Sequence, residues 1–315
     1  MGHAMAITFA AIAPIFLLIF AGNGLRRLSL FEPTFWRGLD RMGYYVLYPV
    51  LLFTTIVRAD FGGLTLGWLI GILLVAVMAI GALTLALWPA LRARGVTRPG
   101  FSSVFQAAVR WNGFIALAVA EAMFPPEGAA MVALAMAVVI IPINVACVSV
   151  IAWFTDAAPN LRGTLAKIAV NPLIVATALA IVLRLLPWPL PGPIMEALHL
   201  LGRAALGMGL LAIGAGLKVD RRTLSVWAIA TPTVLKLVGL PVVMIGLAML
   251  VGIEGPELSY LALCASVPTA MNGYVLAREM GGDAEAYAAT VTVQTAIAFL
   301  SMPAVLAIVA QLGGA

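Results

Sequence analysis

Two short stretches, Asn112-Gly113-Phe114-Ile115 and Asn272-Gly273-Tyr274-Val275, interrupt apolar segments that are long enough to cross a bilayer. They lie 160 residues apart in the chain. An Asn-Gly pair weakens a helix, and the backbone groups that it frees in hydrocarbon are tolerated mainly where they line a protected cavity. The two stretches therefore predict a polar site inside a membrane, built from two interrupted helices.

The composition places the rest of the chain in the membrane as well. Of its 315 residues, 63% are hydrophobic and 10% are charged, and the mean hydropathy is +1.10. Soluble domains carry roughly 25% charged residues, so we predict an all-α integral membrane protein in contact with the lipid bilayer. The basic residues are spread over short loops instead of forming one patch, and we expect no nucleic-acid partner.

Hydropathy predicts ten membrane spans, since about 20 apolar residues cross a bilayer. Their approximate ranges are 5–25, 39–58, 64–91, 101–123, 128–153, 168–186, 194–217, 226–252, 257–279 and 285–311. Thirteen Lys and Arg residues follow the odd-numbered spans, and three follow the even-numbered ones. Because basic loops stay in the cytoplasm, both termini are expected on the outer side.

The two halves of the chain resemble each other. Pro14 and the apolar run to Arg26 match Pro172 and the run to Arg184 at an offset of 158, and the two Asn-Gly stretches match at 160. Residues 1–155 and 156–315 would each supply five spans. Because five is odd, the halves would cross the membrane in opposite senses, as inverted repeats do in secondary transporters. Chance similarity between apolar segments is the alternative.

The ninth span holds the stronger of the two predicted breaks. Pro268 removes a backbone donor, and Asn272-Gly273 adds a second weak point about one turn later. We expect two half-helices that meet near mid-membrane, with Thr269 in the break between them. The N-terminus of the second half-helix would suit an anionic group. A simple proline kink, with the asparagine capping a neighbouring helix, is the alternative.

The fourth span has the Asn112-Gly113 pair, but Ala108 stands where the ninth span has its proline. It carries Gln106 and Arg110 in addition. An arginine at the centre of a lone helix costs at least ~3 kcal/mol, so such a residue usually faces an interior cavity or a partner. Arg110 is therefore a candidate substrate contact. The structural alternative is that it bonds to carbonyls of the unwound half-helix.

Three further residues are candidates for ion coupling or charge pairing. Lys236 lies midway along the eighth span, where no acidic residue has comparable depth, and a structural role is favoured for it. Asp60 and Glu121 end the second and fourth spans at the outer side, where either could exchange a proton or simply be solvated. No metal-ligand spacing or nucleophile set falls at a consistent depth. We therefore expect no metal site, no cofactor and no enzymatic activity.

Several short motifs, in their order and spacing, resemble the auxin efflux carrier family, which includes plant PIN auxin exporters and bacterial malate and malonate carriers. No single motif is specific, but together they run nearly from end to end of the chain. They are Pro14 with Gly22 and paired arginines, Tyr48-Pro49-Val50-Leu51-Leu52-Phe53, Asn112-Gly113-Phe114, Asn171-Pro172-Leu173, Leu211-Ala212-Ile213-Gly214, Lys236 with Pro241, Val267-Pro268-Thr269-Ala270-Met271-Asn272 and Ala277-Arg278-Glu279.

The resemblance implies ten helices in which spans four and nine cross as broken helices. It also implies a scaffold of residues about 5–58 and 168–217, often dimeric. The remaining residues, about 64–153 and 226–311, would form a transport domain that moves as an elevator.

The same resemblance assigns residues to the crossing. The family's crossover asparagines match Asn112 and Asn272, and its span-nine proline matches Pro268. The family's usual proline near the span-four crossover is absent here. The shape of that half of the site is therefore expected to depart from the family pattern.

The leading interpretation is a secondary carrier in a bacterial inner membrane. It would export or exchange a small organic anion, a carboxylate such as malate, malonate or an auxin-like acid. The expected substrate-binding residues are Gln106, Arg110, Asn112, Gly113, Pro268, Thr269, Asn272 and Gly273. The alternative is a sodium-coupled symporter of the bile-acid carrier type, which shares the architecture but needs acidic side chains around the crossover.

Overall fold

In the computed structural model, the described residues are 2–58, 65–155, 170–186, 190–217 and 225–312, and every regular element in them is helical. The α-helices are α1 Gly2–Leu25, α2 Pro33–Met42, α3 Tyr48–Arg58, α4 Leu66–Ala86, α5 Trp88–Ala93, α6 Arg98–Val109, α7 Gly113–Met123, α8 Pro126–Thr155, α9 Pro172–Leu185, α10 Gly192–Gly216, α11 Val226–Val234, α12 Leu240–Leu250, α13 Gly255–Ser266, α14 Gly273–Glu279 and α15 Ala284–Leu312. Single π-helical turns, Gly43–Leu47 and Leu235–Gly239, join α2 to α3 and α11 to α12.

Seven segments of the described chain are long and apolar enough to cross a membrane. They are Thr8–Leu25, Leu66–Ala86, Arg98–Met123, Pro126–Thr155, Gly192–Gly216, Val226–Leu250 and Ala284–Leu312. Helix α9 is apolar but shorter. The prediction of an all-helical protein that crosses the membrane several times is therefore confirmed.

Local sequence signals explain where several helices begin. The Asn171 side chain accepts a hydrogen bond from Leu173 N at 2.9 Å, and Pro172 occupies the first turn of α9. Thr97 caps α6 in the same way, because its hydroxyl accepts from Gly100 N at 3.1 Å. Capping oxygens satisfy N–H groups that have no partner in the first turn of a helix. Helix α9 thus begins where an asparagine cap is followed by a proline.

The helical path of the chain is interrupted at both Asn-Gly pairs. Helix α6 ends at Val109, Arg110 is extended (φ −67°, ψ 150°), and α7 begins at Gly113. In the other half, α13 ends at Ser266 and α14 begins at Gly273. The longer interruption is the one that contains Pro268. This agrees with the loss of a backbone donor at proline.

The helices pack in two groups. In the first group, α1 lies along α10, while α3 packs on both α9 and α10. The second group consists of α4, α6 to α8 and α11 to α15, with α6 on α8 and α13 on α15 among its contacts. The groups meet where α1 packs on α7 and α15, and where α3 packs on α8. Both interrupted segments therefore lie in the second group, and α7 faces the first.

Small residues allow the close contact inside the first group. A Cβ atom at Gly22 would overlap the backbone of Leu211, and one at Gly214 would overlap the backbone of Ile19. Glycine lets two membrane helices approach to backbone contact, where dispersion forces and weak polar contacts hold them together. The α1–α10 pair is therefore a tightly packed unit against which the second group lies.

Candidate functional site

The two interruptions touch each other through the main chain. Asn112 N donates to the carbonyl oxygen of Pro268 at 2.8 Å. Each group lies in a helix break, where the usual intrahelical partner is missing. The crossing of the two broken segments therefore satisfies backbone groups that the breaks leave open.

The Arg110 side chain lies at this crossing and contacts three neutral amide side chains. Its Nε donates to Gln106 Oε1 at 3.2 Å. One terminal nitrogen donates to Asn144 Oδ1 at 3.0 Å, and the other to Asn272 Oδ1 at 3.4 Å. Asn144 belongs to α8 and Asn272 to the second interruption. The guanidinium therefore joins three separate segments of the second helix group.

This guanidinium is buried without a negative partner. Arg110 is 5% exposed, and none of the carboxylates in the described chain forms an ion pair with it. Taking a charge out of water costs several kcal/mol unless another charge compensates it. Amide oxygens offset part of that cost through hydrogen bonds, but they leave the site with a net positive charge.

Asn112 uses its side chain to complete the fold of α7. Its Oδ1 accepts a hydrogen bond from Ile115 N at 3.1 Å, which makes it the N-cap of that helix. The residue is buried. A Cβ atom at Gly113 would lie 2.8 Å from Met136 Sδ, so a larger residue here would displace the Met136 side chain. Asn112 and Gly113 therefore shape the first interruption.

The second interruption is held by α15. Gln294 Oε1 accepts from Thr269 N at 2.9 Å, and Gln294 Nε2 donates to Ala107 O at 3.2 Å. Tyr287 OH donates to Ala270 O at 2.6 Å and lies 3.2 Å from the Thr269 hydroxyl. A Cβ atom at Gly273 would overlap the Tyr287 ring. The backbone of this break is thus fixed by side chains from a neighbouring helix.

Asn272 differs from its counterpart in the first half. It is exposed, its backbone is helical (φ −60°, ψ −22°), and its side chain caps no helix. Its Oδ1 accepts a hydrogen bond from Arg110. Of the N–H groups at the start of α14, the one on Tyr274 donates to Met271 O at 3.0 Å. The exposed amide of Asn272, beside a buried cation, is the polar group at the crossing that a ligand would reach.

Only some of the predicted site residues lie at the crossing. The crossing brings together Gln106, Arg110, Asn112 and Asn272, with Pro268 as a backbone acceptor. Thr269 and Gly273 lie beside them but face α15, because Thr269 is buried and both its N–H and its hydroxyl have partners there. Asp60 lies outside the described residues.

The remaining two predicted residues have other surroundings. Glu121 is exposed and accepts a hydrogen bond from the Thr55 hydroxyl at 3.1 Å, between α7 and α3. Lys236 is fully buried in the π-helical turn after α11, and its Nζ has no hydrogen-bond partner within the described ranges.

Three residues at the crossing were not predicted as site residues: Asn144, Tyr287 and Gln294. Asn144 and Gln294 stand out as polar residues in apolar spans, and such residues usually bond between helices. That pattern does not say which helix they contact. Tyr287 gives no signal in the sequence, because a tyrosine near a span end is common at membrane interfaces.

No metal centre emerges from the described part of the chain. Its His, Cys, Asp and Glu residues form no group of three that could hold an ion. Cys147 and Cys264 are free and buried.

A comparison with known protein families gives a match for the second half of the chain. Residues 160–306 match a family model described as membrane transport protein. This is the domain of the auxin efflux carrier family, so the match confirms over that stretch the resemblance seen in the motifs. None of the curated proteins matches the chain. The family match and the apolar helices together indicate a membrane transporter.

Proposed function

We propose that this membrane transporter is a secondary carrier that binds a small organic anion at the crossing of its two interrupted helices. The observation that carries the proposal is Arg110, a buried cation held by amide oxygens with no carboxylate partner in the described chain. A carboxylate substrate would supply the missing negative charge. Export or exchange of a malate-, malonate- or auxin-like acid is the corresponding activity.

The chemistry of the contacts favours an anion over a neutral substrate. Arg110 presents a planar set of donors whose geometry matches a carboxylate. Asn272, which is exposed, adds amide hydrogens beside it. In a low-dielectric site the attraction between guanidinium and carboxylate is larger than in water. The bound anion would therefore stabilise the crossing as well as occupy it.

We also propose ten spans arranged as two inverted repeats, with residues 1–155 and 156–315 as the halves. Two arginines support this arrangement. Arg26 donates to Ala215 O at 2.9 Å, at the end of α10, and Arg184 donates to Ile56 O at 3.2 Å, at the end of α3. The arginines lie 158 residues apart, and the carbonyls 159. Each arginine thus places positive charge at a helix C-terminus in a matched position.

The two helix groups would give elevator-type alternating access. The first group, α1 to α3 with α9 and α10, would be the scaffold and would pair with a second copy as a homodimer. The second group would carry the anion, since every Arg110 contact lies inside it. One contact between the groups is the stacking of Tyr48 on Phe114, whose ring centroids are 3.5 Å apart.

The basic loops support an orientation with both termini outside. The chain would lie in a bacterial inner membrane, where the same charge bias operates.

Sodium symport of the bile-acid carrier type is less well supported. At the ninth-span break, Gln294 Oε1 accepts from Thr269 N and Ala270 O accepts from Tyr287, so two of the oxygens there already have a protein partner. The described residues of the crossing include no carboxylate. Flux in the presence and absence of a sodium gradient separates this function from the proposed one.

The direct test is anion binding and flux with an Arg110→Gln variant. Purified protein is screened by thermal shift against carboxylates and indole acids, because a ligand at 100 times its Kd stabilises the folded state by about 2.7 kcal/mol. Flux of the best ligand is then measured in proteoliposomes. Arg203→Gln is the matched control, since Arg203 is exposed on α10.

We expect Arg110→Gln to abolish both the ligand-induced shift and the flux, and the control to keep both. Carboxylate flux at the parental rate in folded Arg110→Gln protein would reject the proposal.

A further inference from the structure

Gln294 connects the two interrupted segments in a way that no other described side chain does. Its oxygen accepts from Thr269 N at 2.9 Å, and its nitrogen donates to Ala107 O at 3.2 Å. Thr269 belongs to the second interruption and Ala107 to the last turn of α6. The side chain is fully buried in α15. We call these two hydrogen bonds the Gln294 bridge.

The bridge is placed symmetrically about the polar site. Arg110 follows Ala107 by three residues, and Asn272 follows Thr269 by three residues. Gln294 bonds to Ala107 O and Thr269 N. Three residues further along each segment, an Arg110 nitrogen and Asn272 Oδ1 meet at 3.4 Å. A change in the separation of the bridged atoms would be transmitted directly to that distance.

The backbone around Thr269 depends on bonds to other segments for its position, among them the one from Asn112 N to Pro268 O at 2.8 Å. Residues 267–272 form neither helix nor strand, so intrahelical hydrogen bonds do not hold them. Tyr287, also in α15, anchors Ala270 O at 2.6 Å. The amide of Gln294 offers an acceptor and a donor side by side, one for Thr269 N and one for Ala107 O. An apolar residue of the same size would leave both groups buried and unpaired.

We infer that Gln294 is a positioning residue, which sets the distance between Arg110 and Asn272 and thereby the affinity of the crossing for an anion. This inference rests on the proposed function for its transport readout. Gln294 itself touches neither of the two groups, so it acts through the backbone of the segments that carry them. Because Gln294 bonds to both α6 and the second interruption, α15 would move together with the second helix group.

The test compares Gln294→Met with Thr295→Val. Methionine keeps the length of glutamine and removes both hydrogen bonds. Thr295 is the matched control, because it is equally buried in α15 and its hydroxyl bonds only within its own helix, to Val291 O at 2.8 Å. For each protein, the KM and maximal rate of carboxylate flux are measured in proteoliposomes. Hydrogen exchange of the peptide containing Thr269 is followed in nanodiscs.

We expect Gln294→Met to raise KM about ten-fold, because each of the two hydrogen bonds that it removes is worth roughly a factor of two to ten, with a smaller change in maximal rate. Exchange at Thr269 should become faster by a similar factor. Thr295→Val should match the parent in both. A general packing defect would instead lower the maximal rate, through loss of active protein, and leave KM unchanged.

Parental KM and parental exchange in folded Gln294→Met protein would overturn the inference. If that variant does not fold, Gln294→Asn replaces it, because it keeps the amide but its shorter side chain cannot span both Thr269 N and Ala107 O. The same rise in KM and in exchange is then expected, and parental values would again overturn it. If the parent binds no carboxylate, the proposed function fails, but the exchange comparison still decides whether Gln294 holds the break.

Discussion

Asn112 N donates to Pro268 O at 2.8 Å, so the two helix interruptions are joined by a backbone hydrogen bond. A break in a membrane helix leaves donors and acceptors that lipid cannot satisfy. Here Asn112 in the first break supplies the donor, and Pro268 in the second break supplies the acceptor. The two interruptions therefore stabilise each other at the crossing, where the Arg110 side chain also lies.

The two equivalent asparagines should respond differently to substitution by alanine. Asn272 is exposed and caps no helix, so Asn272→Ala is expected to abolish flux without loss of folded protein. Flux and the thermal midpoint are measured on the same preparation. Parental flux in the Asn272→Ala protein would contradict the assignment of Asn272 to the site.

Asn112→Ala should destabilise the fold. The substitution removes the oxygen that accepts from Ile115 N, and loss of an N-cap costs about 1 kcal/mol. A lower thermal midpoint is the expected result. Asn112→Ser is the control, because serine also caps helices and should recover much of the lost stability. Equal midpoints for the alanine and serine variants would show that capping is not what Asn112 contributes.

Arg110→Lys should not preserve function although it preserves charge. The guanidinium reaches Gln106, Asn144 and Asn272 through three different nitrogens. A lysine ammonium is a single point of charge and cannot span the three oxygens. We expect an increase in KM of about ten-fold, because buried charge-assisted hydrogen bonds are lost. The KM is measured from flux kinetics in proteoliposomes. A parental KM would show that the positive charge of Arg110, and not its three hydrogen bonds, determines substrate affinity.

Alanine substitutions at two glycines of α1 should distinguish the effect of helix packing on stability from that of helix propensity. A Cβ atom at Gly22 would overlap the backbone of Leu211, whereas one at Gly24 would meet nothing within 4 Å. Gly22→Ala is expected to lose about 1–3 kcal/mol, because backbones cannot yield to an added methyl group as a flexible side chain can. Gly24→Ala should be neutral or slightly stabilising. Thermal midpoints in nanodiscs compare the two, and equal midpoints would contradict the close α1–α10 contact.

Lys236→Met should leave the protein at least as stable as the parent. The ammonium is fully buried and has no hydrogen-bond partner among the described residues. An amine buried without a partner costs desolvation free energy, which an apolar side chain of similar size avoids. Lys236→Ala is the control for volume, since it leaves a cavity and should destabilise. A lower midpoint for Lys236→Met would mean that the amine has a partner that stabilises it.

Much of the helical layout follows from local signals. Asn171-Pro172 starts a helix because the side chain caps it and proline has no N–H to lose. Pro268 and the Asn-Gly pairs break helices for reasons within a few residues. Even the relative extent of the two breaks follows from proline being present in one and absent from the other. These features depend on near neighbours in the chain, so the sequence contains them.

The partners of the polar side chains depend on distant neighbours. Arg110 has a contact four residues away in Gln106, but its other two partners are 34 and 162 residues away. The sequence indicated that Asn144 and Gln294 would bond between helices, yet not that one would contact Arg110 and the other Thr269. Long side chains have several rotamers of similar energy. Packing against other segments selects among them.

The amino-acid sequence by itself determined that the chain is helical, crosses the membrane repeatedly and breaks two of its helices, because hydropathy, proline and Asn-Gly act over one or two turns. Tertiary structure alone decided that the two matched asparagines have unlike roles, one a buried cap and the other an exposed amide. It also decided that α15 holds the second break. The physical reason is that a buried polar group takes its partner from whatever lies within about 3 Å of it, and only the packing of distant helices determines which group that is.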